Sequence, residues 1–331
     1  MKFAIVGAGA IGAYVGACLS AGGCDVALVA RGAHLEAMRK RGVRVRLLTG
    51  GELLAHPFAT DDPAEIGRAD AVFLALKAHS LRDMAPRLAP LLGPDTPVVA
   101  GQNGIPWWYF ENSGSPLEGT HLESVDPGGF LSSVISVRRV IGCVIYCSTV
   151  IAEPGVIAQI QGNRFAIGEP DGSRSERCRR ISQAFQTGGL KCAMRSHIRH
   201  DIWVKAIGNL AFNPISALTR ADMHEMLSDS LAFPLVRAIM EEGEAVARAV
   251  GVKLEVSVDQ RLDGAARIGA HKTSTLQDFE SGRPLELDVI AGAVVELAEM
   301  LNVPVPHTRT VYACARLLEQ RALRRGPGSR Q

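Results

Sequence analysis

The chain has 331 residues, of which 47% are hydrophobic and 21% are charged, a composition that is typical of globular proteins and excludes disorder. Its length suits about two domains. Because 36 basic residues nearly balance 34 acidic ones, the net charge of +2 excludes the strongly basic face with which proteins bind nucleic acid.

The first predicted elements are a strand at 3–6, a glycine-rich turn, a helix at 13–21 and a strand at 25–30. The turn has the GxGxxG pattern and consists of Gly7, Ala8, Gly9, Ala10, Ile11 and Gly12. Between a strand and a helix, this pattern predicts a dinucleotide site. Gly7 permits the turn, Gly9 admits the pyrophosphate and Gly12 allows close packing, while the N–H groups at the helix start hold the phosphates.

The residue after the second strand favours NADP over NAD. Proteins that bind NAD place an acidic side chain there, which accepts hydrogen bonds from the ribose 2′-hydroxyl. This chain has Arg31 instead, and a guanidinium would pair with the 2′-phosphate of NADP. The alternative is an ordinary surface arginine.

Two further apolar runs, at 71–76 and 97–100, predict parallel strands that are buried on both faces. Lys77 follows the first run, and Asn103 lies just after the second. Ligands of open α/β sheets bind beyond the carboxyl ends of the strands. We therefore expect Lys77 to hold a nucleotide phosphate or ribose, and Asn103 to bind the ribose or the substrate.

Residues 106–136 form a long connection that begins with a run of aromatic residues, among them those at 107–109. Connections of this length are functional or mobile. The aromatic residues are compatible with three roles, namely a lid over the nicotinamide, an interface patch and local packing. Strands are then predicted at 139–149 and 156–161, followed by a short strand, a helix at 176–187 and a strand near 191–195.

From residue 197 onward the predicted elements are helices, at 201–218, 231–250, 261–270, 287–301 and 308–321. The predicted fold class is therefore α/β, with a Rossmann-type doubly wound sheet in residues 1–196 and an all-α domain in residues 197–331. A homodimer through the helical half is compatible with this pattern, although no sequence feature requires it.

The helix at 201–218 carries polar residues on one face. Lys205, Asn209 and Asn213 follow one another at intervals of four positions, and their neighbours are apolar. Buried polar groups need partners, which favours a binding site over a solvent-exposed stripe. Ser274 and Glu286 are further candidates, although both lie at predicted helix starts and could simply cap or stabilise those helices.

The seven cysteines are scattered, which is typical of free thiols in a reducing cytoplasm. Cys143 and Cys147 lack a second Cys or His pair at zinc spacing, so we predict no metal site. No apolar run reaches the length of about 18 residues that a membrane span requires. We therefore expect a cytoplasmic protein that binds small molecules, without a membrane or nucleic-acid partner.

Together these motifs resemble those of the ketopantoate reductase (2-dehydropantoate 2-reductase) family over essentially the whole chain. The resemblance depends on Arg31, Lys77, GAGAIG at 7–12, QNG at 102–104, WVKAIGNLAFNPISAL at 203–218, KTSTLQD at 272–278 and LELDVIAG at 285–292. It implies that NADPH reduces a 2-keto acid, such as ketopantoate, to the 2-hydroxy acid. The ammonium of Lys205 would then protonate and stabilise the developing oxyanion.

The resemblance also assigns roles to individual residues. Lys205 and Glu286 would be catalytic. The cofactor would contact Arg31, Lys77, Asn103, Thr149, Glu286 and the glycine motif, with Thr149 close to a strand end. The substrate would contact Asn103, Lys205, Asn209, Asn213 and Ser274.

Several positions depart from the family pattern. Thr273 and Thr275 flank Ser274 where the family usually has Pro-Ser-Met, and Ala291 stands where it often has Asn. Met223 and His271 lie where some members have asparagines near the substrate. These departures leave the lysine and the cofactor motif in place, but they allow a 2-keto acid other than ketopantoate.

Two other functions were considered. A β-hydroxyacid dehydrogenase also uses a Lys-x-x-x-Asn pair, but it predicts a glycine-rich approach to the lysine, which residues 200–204 lack. A protein that senses NADP without turnover would not need all of the catalytic and substrate candidates together.

Overall fold

The computed structural model describes residues 1–325. Its contacts divide the chain into two compact units. The first unit comprises Met1–Gln102, Glu111–Ser113 and Phe130–Ile198, and the second comprises Asn103–Phe110, Gly114–Gly129 and the chain from Arg199 onward.

The first unit contains a ten-stranded sheet and five α-helices. The strands are β1 (Lys2–Val6), β2 (Asp25–Val29), β3 (Val43–Arg46), β4 (Glu52–Ala55), β5 (Phe58–Thr60), β6 (Ala71–Leu74), β7 (Val98–Ala100), β8 (Val140–Glu153), β9 (Val156–Gly168) and β10 (Lys191–Met194). The helices are α1 (Ala10–Ala21), α2 (Gly32–Arg41), α3 (Ala78–Met84), α4 (Phe130–Val134) and α5 (Glu176–Thr187).

The sheet has a parallel part and an antiparallel extension. Strands β5, β2, β1, β6, β7 and β8 are parallel neighbours in that order. Beyond them the sheet continues through β9 and β3 to β4, with antiparallel pairing between β8 and β9 and between β3 and β4. The parallel part confirms the predicted Rossmann-type class, whereas the short strands β3, β4 and β5 were not predicted.

Helix α1 packs closely against the sheet at Gly16, although its buried residues also include Tyr14 and Leu19. A Cβ atom on Gly16 would lie 2.5 Å from Cδ2 of Leu28 on β2. Elsewhere in the core, the ring of Phe185 on α5 contacts three aromatic rings of the sheet, with centroids 5.5–6.4 Å apart. A side chain at position 16 would therefore displace the side chain of Leu28.

The second unit is helical. Its helices are α6 (Ile198–Thr219, whose first residue belongs to the first unit), α7 (Met223–Ser228), α8 (Ala232–Ala249), α9 (Val258–Ile268), α10 (Ser274–Glu280), a π-helical turn (Asp288–Gly292), α11 (Ala293–Met300) and α12 (Pro306–Arg325). The five predicted helical segments are present, whereas α7 and α10 were not predicted. Within residues 1–325, no helix is both long and apolar enough to cross a membrane.

Residues 103–110 pack with the helical unit, although the sequence pattern placed them in the first domain. The N–H of Ile105 donates to the carbonyl of Val289 over 3.1 Å. Trp107, Trp108 and Tyr109 are all buried. The aromatic residues therefore form neither a lid nor an exposed interface, and local packing is the interpretation that the structure confirms.

Candidate active site

Lys205, Asn103 and Glu286 form a hydrogen-bonded cluster in the second unit. Nζ of Lys205 donates to Oδ1 of Asn103 over 2.7 Å, and Nδ2 of Asn103 donates to Oε2 of Glu286 over 3.1 Å. Glu286 is only 8% exposed. The two contacts require opposite ends of the same amide, so they fix its orientation. Asn103 thereby connects a cation to a buried carboxylate.

The backbone around Asn103 is held against the segment that carries Glu286. Gly104 has a φ of +74°, and a Cβ atom there would lie 2.0 Å from the carbonyl oxygen of Val289. Only glycine therefore fits after Asn103. The N–H of Ile290 donates to the carbonyl of Glu286 over 3.2 Å, at the start of the π-helical turn. These contacts keep the amide within reach of the carboxylate.

The polar face of α6 is not a solvent-exposed stripe. Lys205 and Asn209 are partly buried. Asn213 is 3% exposed, and its Nδ2 atom has no hydrogen-bond partner in the described part of the chain. A buried donor in this condition is costly unless a water or a ligand accepts its hydrogen bond. The face of α6 that carries Lys205 is therefore suited to holding a polar ligand.

Ser274 is exposed at the first position of α10. It does not cap this helix, because Oγ1 of Thr273 accepts the hydrogen bond from the N–H of Leu276 over 3.1 Å. Within residues 1–325, no hydrogen bond joins Ser274 to Lys205, Asn103 or Glu286. Its place in substrate binding remains a prediction.

The glycine motif of the first unit has the geometry of a dinucleotide site. Gly7 has a φ of +95°, and a Cβ atom on Gly12 would lie 2.3 Å from the carbonyl oxygen of Gly7. A Cβ atom on Gly9, in contrast, would have nothing within 4 Å. Helix α1 begins after Gly9 without a side-chain cap or an acidic residue in its first turn. The motif therefore offers an open approach to backbone N–H groups, which fits a pyrophosphate.

Arg31 and Lys77 lie at the same edge of the sheet as the glycine motif. Arg31 follows β2, Lys77 follows β6, and both of these strands are parallel neighbours of β1. Arg31 occupies the N-cap position of α2 and is exposed. Lys77 occupies the corresponding position of α3. Both positions fit contacts with a nucleotide bound beyond the carboxyl ends of these strands.

Thr149 does not lie at a strand end, and that expectation was wrong. It lies within β8, paired with Gln159 of β9 beside a register shift at Ser148. Antiparallel pairing with β9 extends β8 to Glu153, beyond the end that the sequence pattern predicted. Thr149 is 9% exposed, and its Oγ1 has no hydrogen-bond partner among the described residues. Contact of Thr149 with the cofactor remains a prediction.

His34 was missed by the sequence reasoning. It lies one turn after Arg31 on α2, and its Nδ1 atom accepts a hydrogen bond from the N–H of Gly155 over 3.0 Å. Burial lowers the pKa of His34, and the backbone of Ala8 partly offsets this effect. The position of His34 shortly after Arg31 was the available signal. Its ring joins α2 to the turn between β8 and β9.

Comparisons with known proteins agree over nearly the full chain. Residues 3–172 match the family model described as ketopantoate reductase PanE/ApbA, and residues 197–319 match the model of its C-terminal domain. A 2-dehydropantoate 2-reductase from Mesorhizobium japonicum is 46% identical over 98% of this chain and 99% of its own length. The crystal structure of a 2-dehydropantoate 2-reductase from Methylococcus capsulatus is 30% identical, covers 97% of this chain and 98% of its own, and has a TM-score of 0.82.

Proposed function

Because the chain belongs to the ketopantoate reductase family, we propose that it catalyses the NADPH-dependent reduction of a 2-keto acid, with 2-dehydropantoate as the first candidate substrate. When bound, NADPH supplies the hydride for the C2 carbonyl. The observation that carries the proposal is the cluster of Lys205, Asn103 and Glu286. It connects a cation to a buried carboxylate through a neutral amide, and the helix that carries Lys205 also carries the unsatisfied buried donor of Asn213.

Lys205 is the proposed proton donor. Reduction of a carbonyl places negative charge on its oxygen, which an ammonium can protonate and meanwhile stabilise. The contact with Asn103 directs one of the three ammonium donors, so the side chain is already oriented in the structure. A lysine held in this way loses less conformational freedom in the transition state than a mobile one.

Glu286 is proposed to support this lysine. A nearby carboxylate favours the charged form of an amine, and here the Asn103 amide connects the two groups. Asn209, Asn213 and Ser274 are proposed to hold the substrate. The buried Nδ2 atom of Asn213 is suited to a substrate oxygen, which would supply the acceptor that the described residues do not.

NADPH is the proposed cofactor. The open backbone at Gly9 and the uncapped start of α1 support pyrophosphate binding, as the glycine pattern predicts. No hydrogen bond or ion pair of the Arg31 side chain is found within residues 1–325, so its guanidinium can turn towards a 2′-phosphate. Lys77, Asn103, Thr149 and Glu286 are the further proposed contacts.

The test is a steady-state assay that follows NADPH consumption with 2-dehydropantoate, with other branched 2-keto acids and without any keto acid. We expect turnover only with a 2-keto acid. Turnover only in the reverse direction, with NADP⁺ and a β-hydroxy acid, would instead favour the β-hydroxyacid dehydrogenase alternative. Binding of NADPH without any turnover would favour the sensing alternative and contradict the proposal.

Cofactor choice is tested with Arg31→Ala. Because only NADPH carries the 2′-phosphate, this variant should weaken NADPH binding far more than NADH binding. Lys40→Ala changes an exposed cation on the same helix and serves as the control. Equal losses for both nucleotides in Arg31→Ala would contradict the assignment.

A cytoplasmic location and a homodimer are also proposed. All seven cysteines are free, which supports a reducing compartment. Fractionation of cells and sedimentation of the purified protein would test the two proposals.

A further inference from the structure

A chain of hydrogen bonds connects α6 to the start of α10. Oγ of Ser216 donates to the carbonyl of Asn213 over 2.7 Å and lies 2.6 Å from Oγ1 of Thr273. Oγ1 of Thr273 in turn accepts from the N–H of Leu276 over 3.1 Å. Ser216 and Thr273 are 57 positions apart in sequence, so the chain joins two separate elements of the second unit.

The protons in this chain have a defined direction. Each hydroxyl has one proton to donate. Since Ser216 gives its proton to the Asn213 carbonyl, Thr273 must be the donor in the contact between the two hydroxyls. Ser216 is fully buried and Thr273 is 5% exposed. Water cannot easily replace a bond broken at such a depth, so loss of one hydroxyl leaves its neighbour unsatisfied.

Both ends of the chain adjoin proposed substrate residues. At one end lies the backbone of Asn213, whose side chain has the unsatisfied buried donor. At the other end Thr273 immediately precedes Ser274. Pro214 follows Asn213 within α6 and has no N–H to donate. Helix α6 therefore lacks one backbone hydrogen bond next to Asn213. The hydrogen bond from Thr273 to Ser216 consequently has more influence on the position of Asn213.

We infer that the hydrogen bond between Ser216 and Thr273 positions Asn213 and Ser274 relative to one another, and so sets the affinity for the 2-keto acid. The inference rests on the proposed function, because it takes these two residues as substrate contacts. Ser216 and Thr273 are positioning residues, since they act through their neighbours and not on the substrate itself.

The decisive variant is Ser216→Ala. It removes the link between the helices but leaves Thr273 able to cap α10. We expect the KM for the 2-keto acid to rise about tenfold, equivalent to about 1.4 kcal/mol and close to the value of one buried hydrogen bond. The kcat should change much less than the KM, and the KM for NADPH should stay at the wild-type value.

Two further variants separate positioning from stability. Thr273→Ser keeps the hydroxyl that caps α10 and bonds Ser216, so it should retain the wild-type KM. Ser182→Ala removes another buried hydroxyl, which donates to the carbonyl of Cys192 in the first unit. This control should lower the melting temperature as Ser216→Ala does, but it should leave the KM for the 2-keto acid unchanged.

If the wild-type enzyme reduces a 2-keto acid, three results would overturn the inference and leave the proposed function in place. They are an unchanged KM in Ser216→Ala, an equal rise of both KM values in that variant, and a rise in Ser182→Ala that matches it. A wild-type protein that reduces no 2-keto acid would overturn the proposed function, and the inference with it.

Discussion

The ammonium of Lys205 lies 2.7 Å from the side-chain oxygen of Asn103, although 102 positions separate the two residues in the sequence. The same amide donates to Glu286, which is 183 positions after Asn103 in the sequence. Oxygen faces the cation and nitrogen faces the carboxylate, so neither contact can form if the amide is reversed. Asn103 therefore orients the ammonium of Lys205.

Replacement of Lys205 tests the proposed proton donor. In Lys205→Met the side chain keeps its length but loses the ammonium, so kcat should fall by roughly 10²–10⁴, the usual contribution of one general acid. NADPH binding, measured by fluorescence titration, should be retained. Lys253→Met changes an exposed lysine and is the control. Turnover close to wild type in Lys205→Met would remove this residue from the mechanism.

Two glycine substitutions separate folding from cofactor binding. In Gly9→Ala the added methyl group meets nothing within 4 Å, so the free protein should keep its melting temperature, while NADPH binding weakens at least ~10-fold because the methyl group obstructs the pyrophosphate. In Gly12→Ala the methyl group would lie 2.3 Å from a backbone oxygen, so the melting temperature itself should fall. Unchanged NADPH affinity in Gly9→Ala would contradict this role.

A helix could be predicted with its correct bounds where residues at both ends mark its start and its stop. Helix α5 was predicted at 176–187 and has these bounds, because the Ser175 side chain caps its first turn and Gly188 follows its last. Helices α7 and α10 also begin at side-chain caps, Asp222 and Thr273. They were nevertheless not predicted, because 6 and 7 residues are too few to show the hydrophobic periodicity of a helix.

Contacts between distant segments could not be predicted. The spacing of Lys205, Asn209 and Asn213 places them on one helix face, but no periodicity indicates that Asn103 and Glu286 meet Lys205. Strand β9 extends to Gly168 because β8 and β10 pair along it, and the sequence pattern of the strand alone ended at residue 161. In both cases the decisive partner lies elsewhere in the chain.

A buried ion pair at the end of β9 should be a major source of stability in the first unit. Glu169 is 4% exposed and accepts hydrogen bonds from Nε and Nη2 of Arg177, over 2.7 and 2.6 Å. Arg177→Met would leave this carboxylate buried without its cation, which should lower the free energy of unfolding by about 3–5 kcal/mol. Urea unfolding measures the loss.

The matched control is the exposed pair of Arg179 and Glu176, whose side chains are 59% and 64% exposed. Arg179→Met should cost much less than Arg177→Met, because water solvates both charges of the exposed pair once it is broken. Glu169→Gln removes the buried charge itself and should cost less than Arg177→Met. A loss in Arg177→Met no larger than that in Arg179→Met would refute the importance of the buried pair.

His34 should make the stability of the protein depend on pH. Its Nδ1 atom accepts from the N–H of Gly155, so protonation of Nδ1 would break this contact, and burial lowers the pKa of the ring. Below the ordinary pKa of 6.5 the unfolded chain takes up a proton that the folded chain does not. The free energy of unfolding should therefore fall as the pH decreases from about 6.5 through the pKa of the folded state.

His34→Asn tests this dependence, because the side-chain oxygen of asparagine takes the place of Nδ1 and can still accept from Gly155 but does not titrate. The melting temperature of the wild type should fall more between about pH 7 and about pH 5 than that of the variant. Burial also lowers the pKa of His271, so His271→Gln measures the contribution of that second ring. If His34→Asn keeps the full wild-type pH dependence and His271→Gln removes it, the effect belongs to His271 alone.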